Sequence, residues 1–507
     1  MKTRFNRRTL VKAGLLSSFS GALAGLSGCQ QGDSLQAIRV GINTRVRMLD
    51  PRKATDALSS RINRLLYRQL IDFDERFQPQ PDLADWEQIS LTHFRFSLRQ
   101  ESRFHNGDLL TADDVAATYQ SVLDPDFGSA HQGSLKNIRQ VSVVNSKQVD
   151  FILKQPDPLF VGRLVIGILP KSLMESGHPF HEQPIGSGPC HFVSMDEQRL
   201  ILNRNDHIRL EFIPVKDATV RVLKLMKGEL DIVQNDLSPE LVEYCQKQAE
   251  LQVDWHNGTN FGYIGFNFED DLLSQPAMRR AIAMGIDRQA VIDALFNGHA
   301  RLAGGLLVPE HWCGVADIHG YDYDPQRAKA LLKQVEIPAD SINSDGMIEL
   351  SYKTSNDPTR IRLATIYQSQ LKNIGIQLKI QSYDWGTFYS DIKQGRFQMY
   401  SLAWVGVKSP DIFQYVFDSN AIPPNGANRG RYRDPVADQL IRLAASQQNL
   451  DDQAKTYRQL QVHLQESLAT LPLWYEDQYC VHRKGVSGYR LFADGRMDGL
   501  LKVTKQA

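Results

Sequence analysis

One stretch of alternating strand and helix patterns restricts the possible folds of this chain more than any other feature. Residues 348–352 are predicted to form a buried strand, and residues 359–373 a helix. Ile376, Leu378 and Ile380 then alternate with polar residues, as in a second strand. Two strands joined by a helix pair in parallel through a right-handed crossover. The sequence therefore predicts a mixed α/β fold.

Patterns in the first half agree with this fold class. Residues 92–98 alternate as in a half-buried strand, and residues 138–144 and 149–153 are predicted to form a pair of strands. Thr111 and Asp114 have the spacing of a capping box, which predicts the start of a helix.

Three further helices are expected in the second half. Pro276 in a first turn and Gly298 just past an end predict one helix between them. Asp324, directly before a proline, predicts the cap of another helix. A third apolar stripe reaches Leu468 and indicates a helix that Pro472 ends.

Residues 1–28 have the pattern of an export signal. A basic start without acidic residues precedes a short apolar stretch rich in small residues. The pair Arg7-Arg8 resembles a twin-arginine export signal. Cys29 ends a segment, Leu-Ser-Gly-Cys, that resembles the lipobox of bacterial lipoproteins. We therefore expect a lipid anchor at Cys29, with a generic basic start and an unmodified thiol as the alternatives.

The charge balance excludes one class of function. The 58 Lys and Arg residues equal the 58 Asp and Glu residues in number, whereas binding to nucleic acid requires clustered excess positive charge. We therefore expect no nucleic-acid partner. A mean hydropathy of −0.35 also excludes a polytopic membrane protein.

Sequence motifs for catalysis and metal binding are absent. The chain contains no phosphate-binding loop, no dinucleotide fingerprint, no zincin motif and no nucleophile elbow. His181-Glu182 is the nearest start of a zinc motif, but Pro184 would break the helix that such a site needs. We therefore predict no catalytic residue, no metal site and no cofactor, and we expect that the protein is not an enzyme.

Four cysteines follow position 29. Cys190, Cys245, Cys313 and Cys480 are far apart and form no CxxC pair. Two disulfides with three possible connectivities are compatible with an oxidising compartment. Buried free thiols are the alternative.

Aromatic and polar residues near strand ends mark a candidate pocket in the second half. Tyr263 and Asn267 lie next to glycines that allow close approach of the backbone. Trp385 follows a strand, and Trp404 begins a loop that contains Gly and Pro. Such residues suit a pocket that covers a mostly apolar ligand while fixing a few polar atoms. Core packing is the alternative role for each of them.

Several segments together resemble the family 5 extracytoplasmic solute-binding proteins, which are the dipeptide, oligopeptide and nickel receptors of ABC importers. The most specific segment is RFHNGDLLTADDV, from Arg103. Others are PIGSGPCHF from Pro184, GYIGFNF from Gly262, MRRAIAMGIDRQAVI from Met278 and NRGRYRDPVADQLI from Asn428. The resemblance covers about residues 38–490, in the order found in the family.

The resemblance implies an α/β fold of the periplasmic-binding-protein type II, cluster C. Such a fold has two lobes around a hinge plus an extra peripheral domain. The chain would cross between the lobes near residues 256 and 475. The implied domains are domain I (29–60, 182–255 and 476–507), the peripheral domain II (61–181) and domain III, the opposing lobe (256–475).

The resemblance also implies a function. A monomeric periplasmic protein, anchored to the membrane by lipid, would capture peptides between its lobes and deliver them to the permease subunits of an ABC importer. The same fold binding a non-peptide solute, such as a metal chelate or a sugar, is one alternative. A sensor subunit and an exported enzyme are the others.

The loop after Trp404 carries an implied ligand contact. Peptide-binding members hold the amino terminus of the peptide with acidic residues in this loop. Here Val407 and Ser409 stand where acids would be expected, and Asp411 remains. Asp411 is therefore expected either to contact the ligand or to cap the helix that follows.

Two arginines complete the implied contacts. Arg360 and Arg362 begin the helix in the region where some members hold a substrate carboxylate. A guanidinium serves that role with two parallel hydrogen bonds. Solvated surface arginines are the alternative.

Overall fold

The computed structural model describes residues 37–506, and the predicted export signal and Cys29 lie outside the described residues. Within that range the backbone forms 19 strands, 14 α-helices and three short 3₁₀ helices. No helix among the described residues is both long enough and apolar enough to cross a membrane.

The secondary structure alternates between strands and helices along the whole described range. The strands are β1 (Ala37–Ile42), β2 (Ile71–Phe73), β3 (Pro79–Pro81), β4 (Ala84–Ser90), β5 (His93–Leu98), β6 (Ile138–Asn145), β7 (Gln148–Leu153), β8 (Cys190–Met195), β9 (Leu200–Arg204), β10 (Arg209–Pro214), β11 (Ile232–Gln234), β12 (Leu251–Phe266), β13 (Ala300–Leu302), β14 (Ile348–Ser355), β15 (Ile376–Tyr383), β16 (Met399–Trp404), β17 (Leu471–Arg483), β18 (Val486–Ser487) and β19 (Thr504–Lys505). The α-helices are α1 (Ala57–Leu66), α2 (Ala112–Leu123), α3 (Gln132–Leu135), α4 (Lys171–Glu175), α5 (Ala218–Met226), α6 (Pro239–Gln246), α7 (Pro276–Gly285), α8 (Arg288–Phe296), α9 (Pro325–Leu332), α10 (Pro358–Lys372), α11 (Trp385–Gln394), α12 (Ile412–Phe417), α13 (Pro435–Ser446) and α14 (Leu450–Ser467).

Eleven strands form one mixed sheet. Their order is β15-β14-β16-β12-β17-β11-β1-β10-β9-β8, and β13 adds to β17. The central strands β12 and β17 are 16 and 13 residues long and pair in antiparallel fashion. A register shift between His256 and Asn260 places a bulge in β12. These two strands connect the two ends of the sheet.

One end of the sheet, β1 with β8–β11, packs with α1 to form the first lobe. Its core includes Ile38, Leu65, Phe212 and Leu500, all fully buried. Burial of apolar surface contributes about 25 cal/mol per Å². This core therefore holds the first described strand and the C-terminal segment together.

The other end of the sheet, β14–β16, packs with α7, α8 and α10 to form the second lobe. Its core includes Ile282, Leu350, Leu371 and Trp474, all fully buried. Trp474 lies on β17, whereas Cys480 on the same strand belongs to the core of the first lobe. The central strand therefore contributes to both cores.

A separate four-stranded sheet, in the order β4-β5-β7-β6, packs against α2. We call this region, with the adjoining residues up to 168, the peripheral unit. The rings of Phe96 and Tyr119 both meet the ring of Phe151 edge to face, at 5.3 and 5.2 Å between centroids. Such contacts add to the stability that burial of the rings provides.

The main patterns in the sequence are confirmed. The strands β14 and β15 are parallel, with Ile348 opposite Ile376, and α10 joins them. The strands β6 and β7 are paired, and Thr111 and Asp114 form the predicted capping box of α2. The mixed α/β class follows from these elements, whereas the predicted domain boundaries stay a prediction.

Two predicted helix boundaries in the second half are wrong. The single helix expected between Pro276 and Gly298 is two helices, because Ile286 is extended (φ −106°, ψ 113°). Asp287 then caps α8 with its side chain. The helix α14 ends at Ser467, five residues before Pro472, and Leu468 follows it in a left-handed conformation with φ 50°.

The four cysteines of the described range are free and buried. The disulfide alternative is therefore wrong in this structure. Burial raises the pKa of Cys190 to about 12 and that of Cys245 to about 11. These thiols stay protonated at neutral pH and act as small apolar side chains.

Candidate functional site

A cavity lies where the two lobes meet, beside the bulge in β12. Its volume is about 990 Å³, at the upper end of the roughly 300–1,000 Å³ that is typical of ligand pockets. The first lobe contributes Arg61, Arg221 and Asp236 to its walls, and the second lobe contributes Arg360 and Trp385. Both ends of the sheet therefore enclose the same space.

The first turns of α1, α6, α10 and α11 line the cavity. At three of these helices an aspartate side chain already accepts from the first free backbone N–H groups: Asp56 for α1, Asp357 for α10 and Asp384 for α11. The positive ends of the helix dipoles still face the cavity. This part of the wall favours a negatively charged group on a ligand.

Five acidic side chains line the cavity, and they differ in their partners. Two of them are helix caps. Asp236 accepts a hydrogen bond from the side-chain amide of Asn43 at 2.9 Å, and Glu476 lies 3.8 Å from Arg360. Asp477 forms no ion pair with any described residue; the backbone of Gly258 hydrogen-bonds its carboxylate, whose Oδ1 atom is buried and unpaired.

The basic side chains that the first lobe contributes to the cavity also differ in their partners. The guanidinium of Arg221 donates to the backbone carbonyls of Val215 at 2.6 Å and Lys216 at 3.1 Å, and also to that of Asp236. Burial lowers the pKa of Arg221. Arg61 is half-buried and makes no hydrogen bond within the described range. Arg61 is therefore a cation of the cavity wall whose charge acts on Asp236.

Three buried polar atoms without partners lie at the bulge in β12: Trp255 Nε1, Asn260 Oδ1 and Asp477 Oδ1. The ring of His299 stacks on that of Trp255 at 3.4 Å between centroids, and its carbonyl accepts from the backbone N–H of Asp477 at 3.4 Å. Burial raises the pKa of Asp477 and lowers that of His299. An unsatisfied buried polar group costs about 1–3 kcal/mol. Each of the three atoms is shielded from solvent in this structure.

Two of the sequence-predicted ligand contacts lie in the cavity wall, Trp385 and Arg360. The side chain of Trp385 is 57% exposed, and its ring stacks on that of Tyr389 at 5.5 Å. Arg362 is not part of the wall, but it forms an ion pair with Glu240 of α6. Their role as ligand contacts stays a prediction.

Tyr263 and Asn267 lie outside the cavity wall. Tyr263 is 2% exposed, and its hydroxyl accepts from Arg429 at 3.1 Å. The side-chain amide of Asn267 donates to the backbone carbonyl of Phe397 at 2.9 Å. Both side chains have protein partners, as the core-packing alternative expects, and the structure does not bring them to the cavity.

Trp404 and Asp411 also lie outside the cavity wall. The guanidinium of Arg429 lies 4.8 Å from the centroid of the Trp404 ring. Asp411 stands at the start of α12, but its side chain makes no capping hydrogen bond. It pairs instead with Arg163 of the peripheral unit. The capping role expected for Asp411 is therefore wrong, and its carboxylate is already occupied.

The loop between these two residues, 405–411, is called the Trp404 loop below. Lys408 in this loop lies 2.7 Å from Asp494 of the C-terminal segment. Together with the pair formed by Asp411, this contact ties the loop to two other parts of the molecule. Only Val405 of the loop lines the cavity.

Four residues of this wall carry no sequence motif that marks them as functional: Trp255, Asn260, His299 and Asp477. One signal was available, because Asn257-Gly258 is a turn-forming pair inside a strand pattern, and such a pair indicates a bulge. The position of Asp477 opposite that bulge depends on the pairing of two strands that are about 200 residues apart in sequence.

Comparison with known proteins gives relatives over most of the chain. Residues 78–423 match the model of the bacterial extracellular solute-binding proteins, family 5. A probable di/tripeptide-binding protein 5 from Pseudomonas aeruginosa is 29% identical over 475 residues, which cover 86% of this chain and 89% of that protein.

Two solved structures show the same fold. NikZ from Campylobacter jejuni in complex with Ni(L-His) has a TM-score of 0.77 at 24% identity, and the match covers 92% of this chain and 99% of NikZ. The oligopeptide-binding protein AppA from Bacillus subtilis in complex with a nonapeptide has a TM-score of 0.75 at 23% identity, with 93% and 100% covered.

Proposed function

Because this chain belongs to the bacterial extracellular solute-binding proteins of family 5, we propose that it captures short peptides in the cavity between its lobes. The peptides would then pass to the permease subunits of an ABC importer. The observation that carries this proposal is a cavity of about 990 Å³ between the lobes whose walls hold both guanidinium groups, at Arg61 and Arg360, and carboxylates, at Asp236 and Asp477. A peptide carries a positive charge at its amino end and a negative charge at its carboxyl end, so it can pair with both kinds of group.

Binding at this place would couple ligand capture to lobe closure. The cavity has walls from both lobes, so a ligand in it contacts both of them only when they are close. A ligand shifts an equilibrium between open and closed forms by the difference in its affinity for the two. The bulge at His256–Asn260 and the facing part of β17 are the proposed hinge. With this hinge, domain I would comprise residues 29–60, 182–255 and 476–507, and domain III residues 256–475. The peripheral domain II would comprise residues 61–181.

We also propose that the protein acts at the periplasmic membrane surface as a monomeric lipoprotein. Proteins of this family are extracellular, and the sequence places a lipobox at Cys29 after the pair Arg7-Arg8. The lipid would keep the binding protein close to the permease.

The test of the proposed function is ligand-induced stabilisation of the mature protein. Synthetic peptides of two to five residues should raise its melting temperature. At a peptide concentration one hundred times Kd, the free energy of unfolding should rise by about 2.7 kcal/mol. Native mass spectrometry of the protein purified from its own periplasm should release short peptides. If none of the peptides in the pool stabilises the protein, the proposal is contradicted.

A non-peptide solute is the second candidate. It is favoured by the Trp404 loop, in which Val407 and Ser409 carry no charge and Asp411 is paired with Arg163. The related structure of NikZ holds Ni(L-His) rather than a peptide. Release of a single non-peptide species in the same mass spectrum would favour this candidate.

A further inference from the structure

The hairpin formed by β2 and β3 contributes side chains to two different cores. Ile71 and Phe73 on β2 are buried in the core of the peripheral unit. Phe77 at the tip is buried instead in a cluster of the second lobe, together with Trp312 and with Tyr400 of β16. The two residues that precede Phe77 are exposed. The tip therefore inserts a single aromatic ring into the second lobe.

The backbone of the hairpin does not favour a phenylalanine at this position. Phe77 has φ 62°, in the left-handed region that bulky residues avoid and glycine adopts freely. Asp74 fixes this conformation, because its carbonyl accepts from the N–H of Phe77 at 3.1 Å and its carboxylate from the N–H of Gln78 at 2.9 Å. The left-handed conformation costs the hairpin free energy, and the contact of the ring with the second lobe offsets this cost.

The ring of Phe77 meets residues 308–314, which we call the receiving segment. The ring of His311 stacks on that of Phe77 at 5.5 Å between centroids and 12° between planes. The Nδ1 atom of His311 accepts from the backbone N–H of Cys313 at 3.2 Å, so Nε2 carries the proton and donates to the carbonyl of Lys408 at 3.1 Å. Burial lowers the pKa of His311 to about 4. At neutral pH the imidazole therefore presents a fixed, uncharged face to Phe77.

The hairpin and the receiving segment are fastened to different lobes. Arg458 of α14 donates to the backbone carbonyls of Trp312 at 2.8 Å and Gly314 at 3.1 Å, which holds the receiving segment to the second lobe. Asp72 on β2 lies 2.9 Å from Arg64 of α1, which holds the hairpin to the first lobe. A movement of one lobe relative to the other therefore acts on the contact of Phe77.

We infer that Phe77 is a latch that holds the second lobe against the peripheral unit when the lobes are close. This inference rests on the lobe movement of the proposed function and goes beyond it, because the latch involves no ligand. A second contact joins the same parts, since Arg163 of the peripheral unit pairs with Asp411 of the Trp404 loop. Lys408, whose carbonyl accepts from the receiving segment, belongs to that loop, and Val405 of the loop lines the cavity. The latch is therefore connected to the cavity wall.

The experiment compares the ligand-free wild type with Phe77→Gly and with the control Ile89→Ala. Phe77→Gly removes the ring, while glycine adopts the left-handed conformation easily and keeps the hairpin folded. Ile89 belongs to the same peripheral unit and is 46% exposed, so its truncation removes an apolar side chain that is not part of the latch. Hydrogen exchange of the receiving segment and small-angle X-ray scattering are recorded for all three proteins.

The backbone N–H of Trp312 donates to the carbonyl of Arg76 at 3.0 Å, next to the stacked rings. Its exchange therefore reports directly on the latch. Loss of a buried phenylalanine side chain should lower the ratio of closed to open molecules by about 10- to 100-fold. Phe77→Gly should accordingly exchange at Trp312 about 10- to 100-fold faster and have a larger radius of gyration, whereas Ile89→Ala should match the wild type.

Two results would overturn the latch. One is a folded Phe77→Gly protein with the exchange rate and radius of gyration of the wild type. The other is faster exchange throughout β4–β7 as well, because Phe77 would then support the core of the peripheral unit rather than join it to the second lobe. These measurements use no ligand, so a failure of peptides to bind contradicts the proposed function and is distinguishable from a failure of the latch.

Discussion

Asp494 is a carboxylate held in place by two cations. Its side chain is 7% exposed, and it lies 2.7 Å from Lys408 and 3.7 Å from Arg496. Burial alone would raise the pKa of Asp494, but Lys408 and Arg496 lower it to about 2. The pair of Lys408 and Asp494 joins the Trp404 loop to the C-terminal segment. The stability of this ion pair therefore determines how firmly the loop is held.

The substitution Lys408→Met should lower the free energy of unfolding at pH 7 by about 2 kcal/mol, because it removes a charged hydrogen-bond partner from a buried carboxylate. The folded pKa of Asp494 lies below its ordinary value of 3.8. The stabilisation is therefore fully present above pH 4 and is lost as the pH falls through about 2. Urea unfolding at pH 7 and at pH 2 measures the difference.

A matched control is Lys247→Met, because Lys247 forms an exposed pair with Glu243. Exposed pairs contribute about 0–1 kcal/mol, so this variant should unfold close to the wild type. Equal effects of the two substitutions at pH 7 would show that the pair of Lys408 and Asp494 does not stabilise the protein.

Residue roles were the least predictable part of this molecule. Trp385 could be selected from the sequence because it follows a predicted strand, and Arg360 because of the family resemblance; both lie in the cavity wall. The partner of Asp411, Arg163, is 248 residues away, and no local pattern indicates it. Asp477 has an ordinary sequence context, and only the pairing of β12 with β17 places it beside an unsatisfied tryptophan.

At the scale of elements, the bulge in β12 depends on Gly258. A Cβ atom at this position would stand 2.0 Å from the backbone oxygen of Glu476. The backbones of β12 and β17 can therefore approach each other here only with glycine. The bulge inserts two extra residues into β12, since the four steps from His256 to Asn260 oppose the two steps from Gln478 to Glu476.

Gly258→Ala should therefore destabilise the protein by about 1–3 kcal/mol, the usual cost of overpacking. The control is Gly133→Ala in α3, where no atom lies within 4 Å of the added carbon. That variant should melt within about 2 °C of the wild type, because open space accepts the methyl group. Differential scanning calorimetry compares the two, and equal melting temperatures would contradict the proposed close approach.

Elements were largely predictable where their signals are local. The parallel pair β14 and β15 and the capping box of α2 follow from periodicity and cap residues within about 30 positions. The break between α7 and α8 was missed because Asp287 serves as a cap in the middle of an apolar stripe that continues through it. The order of the eleven strands depends on contacts between distant segments, and local patterns do not determine it.

At the scale of the whole molecule, an ion pair bridges the two lobes. Arg362 begins α10 in the second lobe, and Glu240 begins α6 in the first lobe. Both side chains are about half exposed, at 50% and 53%. Exposed pairs are weak and are screened by salt, so this one biases the distance between the lobes rather than fixing it.

Arg362→Glu should therefore shift the ligand-free protein towards a more open form, because it replaces the attraction with repulsion. Small-angle X-ray scattering at low salt should show a larger radius of gyration than in the wild type. The double variant Glu240→Arg with Arg362→Glu should restore the wild-type value. An unchanged radius in the single variant would show that this pair does not influence closure.

The shared sheet has a consequence for the order in which the protein can be completed. β17 lies in the middle of the sheet, yet it begins at Leu471, about 200 residues after β12 ends at Phe266. During synthesis, β11 and β12 have no central neighbour until this strand has left the ribosome. Neither lobe can complete its core early, because β17 supplies Trp474 to the core of the second lobe and Cys480 to the core of the first. The nascent chain therefore stays unfinished in both halves at once, and both cores can be completed only after β17 has been synthesised.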